Sequence, residues 1–404
     1  MPFSELGLSH LIVRGVRAAG YLEPTPIQSQ AIPHILAGKD LIGTAQTGTG
    51  KTAAFVLPIL DRLKDKQGLH CLIVTPTREL AAQIETNVRD YARFTQTRCA
   101  VVYGGVAMGP QIAALRSKPQ ILVATPGRLL DHVNRRNVDL SYIEILVLDE
   151  ADRMLDMGFL PDIRRILHLL PKKRQNLFFA ATMPREIESL TRQTLVNPVV
   201  VTIGQRTKPA EGVSQFLYPV PRHLKMAMLL KLLKITSYTS VLIFTRTKHG
   251  ADRVARDLNR NGHQVTCLHG NRSQNQRSHS LHGFRTGRYR VMVATDLASR
   301  GLDVEGISHI INYDVPETPE AYIHRIGRTA RAQAVGDAFT LVALEEEDSI
   351  HLIERHLQQV LPRVGVPDFE YSAPAPPKTS TFRPEHARRY GNGNKRRGRP
   401  VRSR

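Results

Sequence analysis

Residues Ile145–Asp152 read I-L-V-L-D-E-A-D, four apolar residues running straight into two carboxylates. A run without alternation suits a strand buried on both faces of a parallel sheet. Acids at the end of such a strand lie on the rim where α/β sheets bind ligands. There an Asp can hold Mg2+, and the next acid can orient or deprotonate a water. Alone, the stretch also fits a helix N-cap or a solvated turn. The segment Ala45–Thr52, A-Q-T-G-T-G-K-T, narrows the choice. Gly48 and Gly50 allow backbone conformations that turn N–H groups toward phosphate oxygens. Lys51 offers a charge for the β- and γ-phosphates, and Thr52 a hydroxyl for Mg2+. Ala45 stands where the general phosphate-loop pattern has Gly. A short strand at Leu41–Ile42 precedes the loop. A helix with Ala53, Ala54, Phe55 and Leu57 follows, broken by Pro58.

A chain of 404 residues is long for one core, so two domains are expected. The formal net charge of +20 favours a polyanionic partner. No apolar run approaches membrane-spanning length, and M-P-F-S-E-L lacks a signal-peptide core, so no membrane is expected. Cys71, Cys99 and Cys267 are far apart and read as reduced thiols of a cytoplasmic protein. The sixteen histidines show no zinc-ligand spacing.

Gly20–Gln28 holds two prolines before a helix at Gln28–Leu36. A Gln amide can pair with N6 and N7 of adenine, and Tyr21 can stack on a base. Apolar runs then recur at Cys71–Val74, Ile121–Ala124, Ile145–Leu148 and Leu177–Ala181, alternating with helical stretches. That alternation predicts a doubly wound parallel sheet. Each run ends in polar residues: Thr75–Leu80, Thr125–Arg128, Asp149–Asp152 and Thr182. In a parallel sheet these groups share one edge, which suits phosphates of a nucleic acid.

Residues 205–213 have no apolar periodicity and read as a linker. A second α/β series follows, with runs at Val241–Phe244, Val265–Leu268, Val291–Ala294, Ile307–Ile311 and Phe339–Ala343 and no phosphate loop. Arg325, Arg328 and Arg331 lie three apart and would share a face if helical. From 367 to 404 the chain is low in complexity. Residues 378–404 hold ten Lys/Arg and one acid, Glu385, and are expected to be a disordered basic tail.

Taken together, the motifs resemble those of the DEAD-box RNA helicases over roughly residues 1–345, with L-H-G-N-R-S-Q-N-Q-R and D-R-M-L-D-M-G-F most like the bacterial RhlE-type branch. The resemblance implies two tandem RecA-like domains, 1–204 and 214–366, that close over ATP and RNA. It implies ATP hydrolysis coupled to local strand separation, with Mg2+ held by Thr52 and Asp149. Nucleotide contacts would come from Phe3, Tyr21, Gln28, Ala45, Gln46, Thr47, Gly48, Thr49, Gly50, Lys51, Thr52 and Asp303. Glu150 would position the water, and Arg328 and Arg331 would reach the γ-phosphate. RNA would be gripped by Thr77, Arg78, Gly105, Thr125 and Arg128, and by Arg246, Gln274, Arg277 and Thr295. Asp152, Thr182 and His324 would couple the halves. Ribosomal or RNA-decay assemblies are the implied partners of a monomeric core.

One departure stands out. The family's Ser-Ala-Thr is Ala180-Ala181-Thr182 here, so a hydroxyl near the acidic motif is missing. A slow RNA clamp and a DNA translocase are the competing readings. Intact Glu150, Arg328 and Arg331 speak against the first, while Ala180 and the basic tail leave it open. The match of Tyr21, Gln28 and D-E-A-D to the family speaks against the second.

Overall fold

The computed structural model describes residues 2–45, 48–203, 212–296, 307–329 and 336–374. Seven strands form the first sheet: β1 Leu41–Ala45, β2 Cys71–Val74, β3 Cys99–Val102, β4 Ile121–Ala124, β5 Ile145–Leu148, β6 Gln175–Ala180 and β7 Val199–Ile203. Their spatial order is β3-β4-β2-β5-β6-β1-β7. Six form the second: β8 Val213–Pro219, β9 Val241–Phe244, β10 Val265–Leu268, β11 Val291–Ala294, β12 His309–Asn312 and β13 Gly336–Val342, ordered β10-β11-β9-β12-β13-β8. Strand pairing is parallel throughout both sheets.

Central strands such as β2, β4, β5 and β9 are buried at every position, as their unbroken apolar sequence requires. Successive side chains alternate between two cores. Ile73, Val147 and Phe179 pack on one face of the first sheet, and Leu72, Leu146 and Phe178 on the other. The second sheet is sandwiched in the same way, with Leu242 and Phe244 on one face and Ile243 and Val241 on the other. Each half is therefore a three-layer α/β unit of RecA-like form.

Register brings the polar strand ends together. Thr44 of β1 pairs with Ala180 of β6, and Leu148 of β5 pairs with Val74 of β2 and Phe178 of β6. Val74 in turn lies beside Ala124. The phosphate loop, Ala181–Thr182, the Asp149–Asp152 turn, Thr75–Arg78 and Thr125 thus leave one edge of one sheet.

The helices of the first half include α1 His10–Ala18, α2 Pro26–Leu36, α3 Lys51–Leu63, α4 Arg78–Tyr91, α5 Met108–Arg116, α6 Pro126–Asn134 and α7 Ala151–Asp156. Two boundaries differ from the sequence expectation. Helix α2 begins at Pro26, two residues before Gln28, because Pro26 takes the first helical position and the Gln28 side chain accepts the Thr25 N–H. Helix α3 runs through Pro58. A proline there costs about 3 kcal/mol. The burial of Phe55, Val56, Leu57, Ile59 and Leu60 around it offsets that cost.

Strands β3 and β7 had no clear sequence signal. Both are edge strands with partly exposed residues, so their apolar content is diluted. The expected linker lies mostly in 204–211, outside the described residues, and Val213 already belongs to β8. Residues 367–374, expected to open the tail, pack on the second unit. Phe369 and Tyr371 meet edge to face, the Val366 N–H donates to the Tyr371 hydroxyl, and His223 Nε2 contacts the Ala373 carbonyl. Phe369 and Tyr371 give this stretch apolar area to bury. The rest of the tail, 375–404, lies outside the described residues.

Gly15 fixes how α1 meets α4, the helix that begins at Arg78. A Cβ there would lie 2.1 Å from the backbone oxygen of Tyr91, which cannot retreat without moving the helix. Gly15→Ala is expected to destabilise the first unit by about 1–3 kcal/mol through overpacking. Chemical denaturation of the variant checks this, and an unchanged midpoint would show that α1 shifts freely on α4.

Candidate active site

The phosphate loop turns into α3 at Gly50, the N-cap, whose φ of +91° is open to glycine at little cost. A Cβ there would also meet Gln28 Nε2 at 2.4 Å. That contact arises because buried Gln28 is tied to the loop. Its Nε2 donates to the Gly50 carbonyl at 3.1 Å, and its Oε1 accepts the Thr25 N–H at 2.9 Å. One amide hydrogen and one lone pair are left for a base edge. Tyr21 is 44% exposed and packs edge-on against Tyr91. Phe3, by contrast, is 2% exposed and sits in the first core, so it acts on this region only through packing. Ala45 ends β1, and its carbonyl accepts from Lys51 Nζ. Burial lowers the Lys51 pKa, and the carboxylates of Asp149, Glu150 and Asp152 oppose the shift. Thr52 is half-buried in the first turn of α3.

Three carboxylates crowd the end of β5. Asp149, Glu150 and Asp152 are all buried. Burial, then the charge of Glu150, push the Asp149 carboxyl well above the ordinary carboxylate range, against the pull of Lys51. Asp149 Oδ1 accepts the Glu150 N–H, and Oδ2 takes no hydrogen bond among the described residues. Glu150 sits at φ +53° as the N-cap of α7. A left-handed non-glycine residue costs about 1–2 kcal/mol, a strain found where geometry serves a site. Its Oε2 accepts from Arg153 Nη1 at 2.6 Å, one turn along α7. Asp152 is closed off: Oδ2 accepts the N–H groups of Ala181 and Thr182 and the Thr182 hydroxyl, at 3.1, 2.8 and 3.0 Å. The hydroxyl absent at Ala180 therefore leaves no gap at Asp152, and the Ala180 side chain packs in the core.

Oxygen ligands, a carboxyl whose ionisation is opposed by burial and a second negative charge, and a hydroxyl on the facing loop suit a hard divalent cation. No other cluster among the described residues competes well. Asp252, Cys267 and His269 lie together. However, the Asn271 N–H donates to His269 Nδ1, which puts the ring proton on Nε2, where it is shared with Asp252 at 3.0 Å. Arg272 also binds that carboxylate, so the set is already satisfied.

Farther along the edge, the Thr77 hydroxyl caps α4 by accepting the Leu80 N–H, and Thr125 stands just before the first residue of α6. The Arg78 guanidinium covers Gly105, where φ is +76° and a Cβ would lie 1.9 Å from Nη1. Arg128 Nη1 donates to the Val106 carbonyl at 3.2 Å. These five residues, expected together from sequence, do surround one strip of the sheet edge.

In the second half, Arg246 and Thr295 follow β9 and β11, and the Arg246 N–H donates to Asp314. Arg277 reaches the other half: its Nε meets Glu79 Oε1 of α4 at 2.7 Å, with both side chains about nine-tenths buried. Arg277, which the resemblance implies on RNA, is paired here with Glu79, a residue with no local sequence signal. The helix Pro319–Ile326 ends before Arg328, so Arg325 and Arg328 do not share a helical face. Arg325 instead turns inward, holding Asp296 with two bonds of 2.6 and 2.7 Å and also donating to Asn312 and the Asp314 carbonyl. Arg328, 4% exposed, and His324 line one cleft with Arg325, Asp296 and, from the first half, Arg153. Gln46, Thr47, Asp303 and Arg331 lie outside the described residues, as does the Gln274 side chain.

The DEAD/DEAH box helicase family matches residues 25–190, and the helicase conserved C-terminal domain matches 224–333. The ATP-dependent RNA helicase CshA of Limosilactobacillus reuteri is 43% identical over 88% of this chain and 72% of its own length. The DEAD-box ATP-dependent RNA helicase CshA of Bacillus cereus is 41% identical over 91% and 70%. Among solved structures, S. cerevisiae Dbp5 bound to RNA and ADP BeF3 superposes with a TM-score of 0.82 at 30% identity, covering 90% of this chain and 95% of that one. A DEAD box protein from Methanococcus jannaschii, 36% identical with 90% and 99% covered, reaches only 0.53.

Arg325→Met is expected to destabilise the second unit by about 3 kcal/mol, since it strips Asp296, Asn312 and the Asp314 carbonyl of their shared donor. Thermal unfolding of the variant checks this. A stability near that of the parent would free Arg325 for a direct role in the cleft.

Proposed function

Because the chain belongs to the DEAD-box family of ATP-dependent RNA helicases, we propose that its two halves each carry part of one ATPase site, completed when they close. The protein is an RNA-dependent ATPase that binds RNA and couples ATP hydrolysis to domain closure and local strand separation. In our reading the boundaries are 1–204 and 214–366, with 205–213 linking them and the basic stretch from 367 onward adding affinity for phosphates. Gly48–Thr52 cradles the phosphates, with Gln28 and Tyr21 at the base. Thr52 and Asp149 would hold Mg2+, which neutralises phosphate charge when bound. Glu150 takes the proton of the attacking water. Arg328 and Arg331 supply positive charge from the second half. RNA lies on Thr77, Arg78, Gly105, Thr125 and Arg128, and on Arg246, Gln274 and Thr295. The observation that carries this reading is the cleft in which Arg153, three residues past Glu150, meets His324 and Arg328.

The L-H-G-N-R-S-Q-N-Q-R and D-R-M-L-D-M-G-F runs support the RhlE-type branch, alongside relatives named CshA. A cytoplasmic, monomeric core working with ribosomal or RNA-decay assemblies fits the charge and the free thiols.

Glu150→Gln should retain ATP and RNA binding while lowering turnover by about 10²–10⁴-fold, the usual contribution of a general base. Steady-state ATPase against binding titrations decides it, and near-normal turnover would remove Glu150 from the chemistry. Arg277 has a separate expectation. Its bond to Glu79 spans the halves, so Arg277→Ala and Glu79→Ala should each raise the RNA concentration for half-maximal ATPase, and the double variant should add little. Additive losses would return Arg277 to the RNA surface.

A further inference from the structure

We propose that Arg153 is the positioning residue for Glu150, holding one carboxylate oxygen so that the other faces the water, and that it is steadied by the second half. This rests on the ATPase reading above. Glu150 has two oxygens. Oε2 accepts from Arg153 Nη1 at 2.6 Å, with the two side chains 7% and 3% exposed. Oε1 takes no hydrogen bond among the described residues and is left for a water. The strained φ of +53° at Glu150 throws its side chain back over α7, where a residue three positions on can reach it. Arginine suits that place. It keeps its charge when buried, and its planar fork can hold a carboxylate with one N–H while using others elsewhere.

Without this cation, the end of β5 would hold three buried carboxylates facing Lys51 alone. Asp152 has its own donors in Ala181 and Thr182 and does not draw on Arg153's side chain. The Arg153 guanidinium is thus committed to Glu150 within the first half. Its other neighbours come from the second half: Phe244, Asp296, Ala321, His324, Arg325 and Arg328 line the same cleft. Closure encloses Arg153 and fixes its rotamer. Opening frees it, and Glu150 loses its fixed orientation. Orientation of the base then depends on closure even though both residues belong to one half. This gives the first half a means of registering the position of the second before the water is activated.

The test compares Arg153→Gln and Arg153→Lys with the parent chain in RNA-stimulated ATPase, and repeats Arg153→Gln in a Glu150→Gln background. Arg153→Gln should lower kcat by about 10–10²-fold, part of what a general base contributes. The half-saturating concentrations of ATP and single-stranded RNA should stay within about threefold, because neither ligand touches Arg153 in this scheme. Arg153→Lys keeps a charge and a donor and should recover part of the loss. In the Glu150→Gln background, Arg153→Gln should cost no further activity. An unchanged kcat in Arg153→Gln, or the same fold-loss with Glu150 already replaced, overturns the inference. So does a rise in both half-saturating concentrations with kcat intact, which would make Arg153 a seam contact only. Should Arg153→Gln not fold, Arg153→Lys decides alone: parental kcat is incompatible with fork-held orientation, and reduced kcat at parental affinities supports it. If Glu150→Gln itself keeps normal turnover, the ATPase reading fails instead, and the two failures are told apart.

Discussion

Three carboxylates within four residues, buried where β5 ends, are the constraint around which the first half is built. Like charges so close in a low-dielectric setting cannot be left unbalanced. The structure gives each a different answer. Asp152 is saturated by donors from the turn after β6, which locks two adjacent strand ends together. Glu150 is paired with Arg153 and pays backbone strain for its position. Asp149 faces Lys51 with burial opposing its charge, the setting in which a divalent cation is most welcome. Register does the rest: Thr44 beside Ala180 and Phe178 beside Leu148 bring the phosphate loop, the β6 turn and the acids to one rim.

The second half has no phosphate loop, and its contribution is contact. Arg277 clasps Glu79, and His324 and Arg328 enclose Arg153. Arg325 shows how the cleft is kept rigid: with Asp296, Asn312, the Asp314 carbonyl and the Phe244 ring around it, it serves as a strut beneath those residues. A pair buried on both sides of a seam forms only when the seam closes, so its energy is available only to the closed state. Closure is thereby linked to whatever binds both halves, which is how the proposed mechanism couples RNA to ATP hydrolysis.

Much of this was legible in the chain. Central strands such as I-L-V-L and V-L-I-F read clearly because burial on both faces leaves no polar position in them. The edge strands β3 and β7 were obscured by the same rule, since one side faces solvent. Pro58 misled because local propensity was outweighed by packing around α3. The Thr25-x-x-Gln28 spacing was readable in the chain: Gln28 Oε1 accepts the Thr25 N–H, which leaves Nε2 to hold the Gly50 carbonyl of the loop. The Glu150–Arg153 spacing was visible, but only the left-handed φ at Glu150 reveals that the two meet. Nothing local could have announced Glu79 and Arg277, which stand 198 positions apart.

In the proposed mechanism one closed state binds ATP and RNA together. Linkage makes that measurable without turnover, because each ligand must tighten the other by the same factor. The decisive measurement is the affinity of the full chain for a short single-stranded RNA, with and without a saturating non-hydrolysable ATP analogue, paired with the reverse titration. Matching gains of about 5–150-fold are expected in both directions. Equal RNA affinity with and without the analogue would contradict this mechanism, and would mean that the two halves bind their ligands independently.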